Sequence, residues 1–171
     1  MNLTGTHLIE AKRATIWSAL NSPDVLKACI PGCTDMTGSP SEGFSATVTQ
    51  KVGPVKATFK GLVELSNIVE NEGCTIRGEG KGGAAGFAKG GADVHLADTE
   101  NGTELRYEVH ANVGGKLAQL GSRIIDGFAK KMAEQFFERF KAQVEAPGVT
   151  HQDGSTESQP AEAQAESRRQ N

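Results

Sequence analysis

Val55-Lys56-Ala57-Thr58-Phe59-Lys60-Gly61-Leu62-Val63-Glu64-Leu65-Ser66 alternates with period two. Val55, Ala57, Phe59, Gly61, Val63 and Leu65 fall on one face. Lys56, Thr58, Lys60, Glu64 and Ser66 fall on the other, where only Leu62 is apolar. Successive side chains of a strand point to opposite faces, so this is a strand with one face buried. Thr103–Val113 repeats the pattern, with Leu105, Tyr107, Val109, Ala111 and Val113 against Glu104, Arg106, Glu108, His110 and Asn112. Phe44, Ala46, Val48 and Val52 continue it upstream, with Gln50 as the exception. Turn residues at 38–43, Gly53-Pro54, 71–73 and 100–102 leave connections short enough for antiparallel hairpins.

Outside this block the period becomes helical. Downstream, Leu117, Leu120, Ile124, Phe128, Met132, Phe136 and Phe140 form a stripe, with Ile125, Ala129, Ala133 and Phe137 beside it. One helix over about 115–145 is expected, its wide apolar face lying on the sheet. Gly121 and Gly127 within it are expected to permit close approach of backbone or ligand. Upstream, residues 3–10 read as a strand, and Ile16, Trp17 and Leu20 are spaced for a short helix. Ser22-Pro23-Asp24 then places a capping hydroxyl, a first-turn proline and a first-turn acid before a second helix over about 23–29. The order is strand, two short helices, about six antiparallel strands and a long helix: an α+β layer architecture.

The 171 residues include 21 glycines, above the ~7% of average usage, without the three-residue period of collagen. Some mark turns. Others fall on the inward face of two strands, Ile76-x-Gly78-x-Gly80 and Gly86-x-Ala88-x-Gly90-x-Ala92. Positions facing a helix usually carry bulk that fills the layer to native density. Either the helix approaches closely or the sheet bulges there, or helix and sheet enclose a cavity. An unfilled apolar cavity costs stability, whereas a ligand that binds the folded state restores it. The second reading predicts a ligand-binding domain over residues 1–146. The polar remainder, 147–171, has too little apolar area to offset ordering entropy and is expected to be disordered.

Other classes are disfavoured. The net charge is −3, and Lys130-Lys131 lies near Glu134 and Glu138, so nucleic acid is not an expected partner. No apolar run reaches the ~20 residues of a membrane span, and no secretory signal is evident. Three cysteines are an odd number for a disulfide framework, and a cytoplasmic location is expected. Gly78-Glu79-Gly80-Lys81-Gly82-Gly83 has the letters of a dinucleotide fingerprint, but strand-like sequence follows where a helix is required. Cys29 and Cys33 flank Pro31, and the remaining Cys and His are scattered, so neither a metal nor another cofactor is expected. No nucleophile elbow or inward carboxylate pair supports hydrolysis. Trp17 and Tyr107 are core candidates whose polar tips could reach a ligand.

Three blocks carry a family resemblance. Val25-Leu26-Lys27-Ala28-Cys29-Ile30-Pro31-Gly32-Cys33, Gly53-Pro54-Val55-Lys56-Ala57-Thr58-Phe59-Lys60-Gly61 and Val113-Gly114-Gly115-Lys116-Leu117-Ala118-Gln119-Leu120-Gly121-Ser122-Arg123 resemble the carbon monoxide dehydrogenase G-subunit family. The resemblance covers about residues 1–145. It implies the helix-grip fold of the START-type, birch-pollen-allergen-like superfamily: a curved seven-stranded antiparallel sheet around a long C-terminal helix, with an internal hydrophobic cavity. It implies a non-catalytic accessory role beside molybdenum hydroxylase subunits. The cavity would hold a lipophilic small molecule such as a quinone, linking the enzyme to the respiratory chain. Transient contact at the inner membrane face fits that role, although the tail lacks the apolar anchor of some relatives. A ligand-free docking or assembly factor is the alternative, and an enzyme a third. Candidate wall residues are Phe44, Val48, Phe59, Val63, Leu105 and Tyr107 on strands and Trp17, Leu26, Leu120, Ile124 and Phe128 on helices. Gly80 and Ala88 complete the set, and added bulk at either is expected to reduce ligand binding.

Overall fold

A computed structural model describes residues 1–145. The expected tail, 147–171, lies outside the described residues. Strand β1 (Asn2–Ile9) leads into two short helices, α1 (Arg13–Leu20) and α2 (Pro23–Cys29). Six strands follow: β2 (Cys33–Ser39), β3 (Gly43–Val52), β4 (Val55–Val69), β5 (Gly73–Lys81), β6 (Phe87–Thr99) and β7 (Gly102–Gly114). A single 3₁₀ turn, Gly83–Ala85, separates β5 from β6. Two helices close the described chain, α3 (Lys116–Gln119) and α4 (Ser122–Glu145).

The strands form one antiparallel sheet in the order β1-β7-β6-β5-β4-β3-β2. Hairpins join β2 through β7 in sequence, and the α1–α2 unit carries the chain from one sheet edge to the other. The curved sheet and long helix form the helix-grip arrangement. Helix α2 starts as its sequence dictates. Ser22 Oγ accepts from Val25 N–H at 3.3 Å, Pro23 occupies the first turn, and the helix stops before Pro31.

The expected single helix over 115–145 is two helices. Gly121 at φ +90° interrupts it, a left-handed conformation that glycine adopts without steric penalty. Both columns of the wide apolar face contribute buried residues, but not evenly along it. Ile125, Phe137, Phe140 and Val144 are buried, whereas Ile124 is 42% exposed. The break resets the helical phase, turning Ile124 towards the β3–β4 turn, where a Cβ on Gly53 would sit 3.5 Å from its Cγ2. Gly127 admits no close neighbour: a Cβ there would meet nothing within 4 Å.

Two packed clusters occupy opposite ends of the layer between helix and sheet. The larger joins Ile9, Ile16, Ala19, Val25, Cys29, Leu96, Leu105, Phe137, Phe140 and Val144. Polar contacts fix the elements at that end. Glu10 N–H donates to Glu145 Oε2 at 2.7 Å, and fully buried Thr103 donates through Oγ1 to Ala11 O at 2.8 Å. Arg13 donates to Asp98 Oδ1 at 2.8 Å and to Asn71 O at 3.0 Å. The smaller cluster joins Val52, Leu117 and Ile125, with Met1, Val55, Phe59, Val113, Leu120 and Phe128 against it.

Candidate functional site: an apolar cavity between helix and sheet

Between the two clusters lies a cavity of about 480 Å³. That is within the ~300–1,000 Å³ usual for small-molecule sites. Its floor is a register row of inward residues: Leu65 on β4, Ile76 on β5, Ala92 on β6, Val109 on β7 and Leu3 on β1, each paired with the next. Phe44, Cys74, Val94, Leu105 and Tyr107 flank the row. Helix α4 forms the roof through Phe128, Ala129, Met132, Ala133, Phe136 and Phe137. Met1 closes one side, and Trp17, Leu20, Asn21, Leu26, Ile30 and Pro31 of the α1–α2 unit close another.

The space stays open for a steric reason. Ala129 and Ala133, one turn apart on α4, share the cavity with Ala92 in the floor row and Cys74 beside it. Small residues on both layers leave a gap that Phe128 and Phe136 border from opposite ends. The wall is almost wholly apolar. Asn21 spends its Nδ2 on Trp17 O at 2.8 Å. Burial pushes the Cys74 thiol upward, with Asp93 adding to the effect, and burial then Glu134 push the Tyr107 phenol upward. Both stay neutral at neutral pH, so neither presents a charge to a guest.

Beside the cavity stands an aromatic stack. His7 lies 4.1 Å from Phe137 between ring centroids and 6.0 Å from Tyr107, with Phe137 and Tyr107 at 5.3 Å. Burial, and then Lys141, lower the His7 pKa below its ordinary value. The Tyr107 ring reaches its place because Gly5 offers no side chain: a Cβ there would sit 2.5 Å from Tyr107 Cζ.

Six of the residues singled out from sequence line the cavity: Trp17, Leu26, Phe44, Leu105, Tyr107 and Phe128. Seven lie elsewhere. Phe59 and Leu120 pack into the smaller cluster. Val48 pairs with Phe59 and Cys33 beyond the floor. Val63 pairs with Phe44 and Gly78, one register row short of it. Gly80 and Ala88 sit in the row Ala46–Gly61–Gly80–Ala88–Val113, two rows away. Ile124 faces Gly53 and solvent.

The glycines of β5 and β6 do not act alike. A Cβ on Gly80 would meet nothing within 4 Å, so space does exist there. A Cβ on Gly90 would strike the β7 backbone at His110 and Ala111, and one on Gly86 the backbone of Gly114. At those two positions the glycine permits close backbone approach and leaves no room for a guest. Gly86, at φ +114°, also lies outside the strand. The alanines at 92, 129 and 133 line the cavity and are not among the candidates read from sequence. Their signal was present, as small residues recurring at helical spacing opposite a small inward strand position.

The model of one protein family, the carbon monoxide dehydrogenase G-subunit (CoxG), matches residues 5–145. The chain belongs to the CoxG family. A conserved protein from Geobacillus kaustophilus is similar in structure at a TM-score of 0.79 and 26% identity, covering 85% of this chain and 95% of its own. A protein from Mesorhizobium loti gives 0.64 at 16% identity, over 87% and 100% of the two chains. Ara h 8.0201 gives 0.60 at 12% identity, over 85% and 98%. The last two show the fold alone. No match to a curated protein is found. CoxG proteins are accessory subunits associated with carbon monoxide dehydrogenase, and the cavity is the feature of this CoxG chain that needs a function.

Proposed function

We propose that this CoxG protein is a non-catalytic accessory protein of a carbon-monoxide-dehydrogenase-type molybdenum hydroxylase. It holds a quinone-like lipophile between α4 and the sheet and carries reducing equivalents from the enzyme towards the membrane respiratory chain. The single observation behind this reading is the ~480 Å³ apolar cavity, walled by small residues on both layers and with its thiol and phenol neutral. An apolar guest stabilises such a space, whereas a charged one would lose its hydration without compensation. The neutral thiol and phenol also favour carriage over hydrolysis, which needs an activated nucleophile or a poised base. Among the described residues no helix is long and apolar enough to cross a membrane.

The test is functional. A purified hydroxylase of this type is supplied with its substrate and with vesicles containing a long-chain quinone, with and without the CoxG protein. Faster quinone reduction in its presence is expected. An unchanged rate, with the protein bound to the enzyme, would favour a docking or assembly role.

A further inference from the structure

The sheet has two edges, and they are built differently. At the β2 edge the register shifts between Cys33 and Asp35, Asp35 adds a charge, and Gly38 turns to φ +119°. Bulges and charges of this kind discourage pairing with another chain. The β1 edge has none of them. Asn2-Leu3-Thr4-Gly5-Thr6-His7-Leu8-Ile9 contains no Lys, Arg, Asp, Glu or Pro, and its register against β7 is unbroken.

The direction of each backbone group follows from one pair. Met1 N donates to Ala111 O at 3.0 Å and Ala111 N donates to Met1 O at 2.9 Å. In an antiparallel ladder, bonded and non-bonded pairs alternate. Leu3, Gly5, His7 and Ile9 therefore bond β7, while Asn2, Thr4, Thr6 and Leu8 turn their N–H and C=O outward. All four are exposed, Leu8 at 64%.

We propose that this edge is a self-association surface, on which β1 of a second copy of the chain pairs antiparallel about a two-fold axis through Gly5. In that register Thr4 faces Thr6 of the copy, and Asn2 faces its Leu8. Every outward N–H meets an outward C=O. Gly5 meets Gly5 as a non-hydrogen-bonded pair, the closer type, with Cα atoms about 4.5 Å apart. Glycine fits there without a clash. Facing threonines are favourable cross-strand partners, and no charge is set against a like charge within the paired strands. The copy's own β1 satisfies each of these conditions because the edge is self-complementary. Leu3 belongs both to β1 and to the cavity wall, so the pairing extends the sheet beside the cavity.

Sedimentation velocity on the full chain, with residue-resolved amide exchange, tests this. The wild type is expected to sediment as a dimer and to protect the amides of Thr4, Thr6 and Leu8. Thr4→Lys places a charge on the edge. Thr6→Pro removes an outward N–H and no bond to β7. Each is expected to weaken dimerisation by at least about tenfold and to free the outward amides that remain, while those of Leu3, Gly5 and His7 stay protected. If Thr6→Pro fails to fold, Thr4→Lys gives the reading alone. A wild type that stays monomeric, or a dimer that neither variant weakens, would overturn the proposal.

Discussion

Replacing Ala133 by Leu asks directly whether the space under α4 is real and whether a guest uses it. Ala133 sits on the roof, one turn from Ala129 and one from Phe137, both on the cavity wall. Leucine adds three carbon groups, each contributing about 0.8 kcal/mol when buried. Full burial would give about 2.4 kcal/mol, and the open side of the cavity reduces this to about 1–2 kcal/mol. The delipidated variant should therefore be more stable than the delipidated wild type by about that amount. A closed core would give the opposite sign, since overpacking costs about 1–3 kcal/mol. Urea unfolding of ligand-free protein measures the difference. Trp17, the only tryptophan, lines the cavity and serves as reporter of both unfolding and binding. A short-chain quinone should quench Trp17 saturably in the wild type and weakly in the variant. A destabilised Ala133→Leu that quenches like wild type would show that no guest space lies under α4.

Three further outcomes follow from the same geometry. Gly80→Leu and Ala88→Leu lie two register rows from the floor, so quinone quenching of Trp17 should survive in both; loss in either would move the site. Neutral His7 is favoured in the folded state because burial, and secondarily Lys141, lower its pKa. The unfolded chain then binds more protons between the folded value and the ordinary 6.5, so wild-type stability falls as pH drops below 6.5. His7→Phe keeps the aromatic stack and should flatten that part of the pH–stability profile measured by urea unfolding. Ser22→Ala removes the cap on α2 and should cost about 0.5–2 kcal/mol, read from the thermal midpoint.

The architecture was legible because its signals are local and periodic. Alternation through Val55–Leu65 and Leu105–Val113 assigned the buried face, and Ser22-Pro23-Asp24 located α2. The break at Gly121 was not legible, because an isolated glycine in an apolar helical stripe reads as a tolerated cost. Its φ of +90° lets the chain turn from α3, which packs on β7 and the 3₁₀ turn, into α4. The cavity was foreseen, but its position was displaced along the strands. Sequence gives the inward face of each strand. It does not give the register row over which α4 carries alanine in place of phenylalanine. Register comes from hairpin geometry, and it brings Ala92, not Ala88, beneath Ala129 and Ala133. Gly90 misled for a related reason. A missing side chain looks the same whether it leaves room for a guest or for the neighbouring backbone.

The most direct measurement is on the protein as its own cells make it. Purified without detergent, it is weighed intact by native mass spectrometry, then extracted into organic solvent, and the extract is analysed for lipophiles. An added mass in near-stoichiometric amount is expected, with an extract whose absorbance changes on reduction as a quinone's does, and loss of that mass in Ala133→Leu. A protein that carries no lipophile, and whose Trp17 emission no added quinone quenches saturably, would contradict the proposed function.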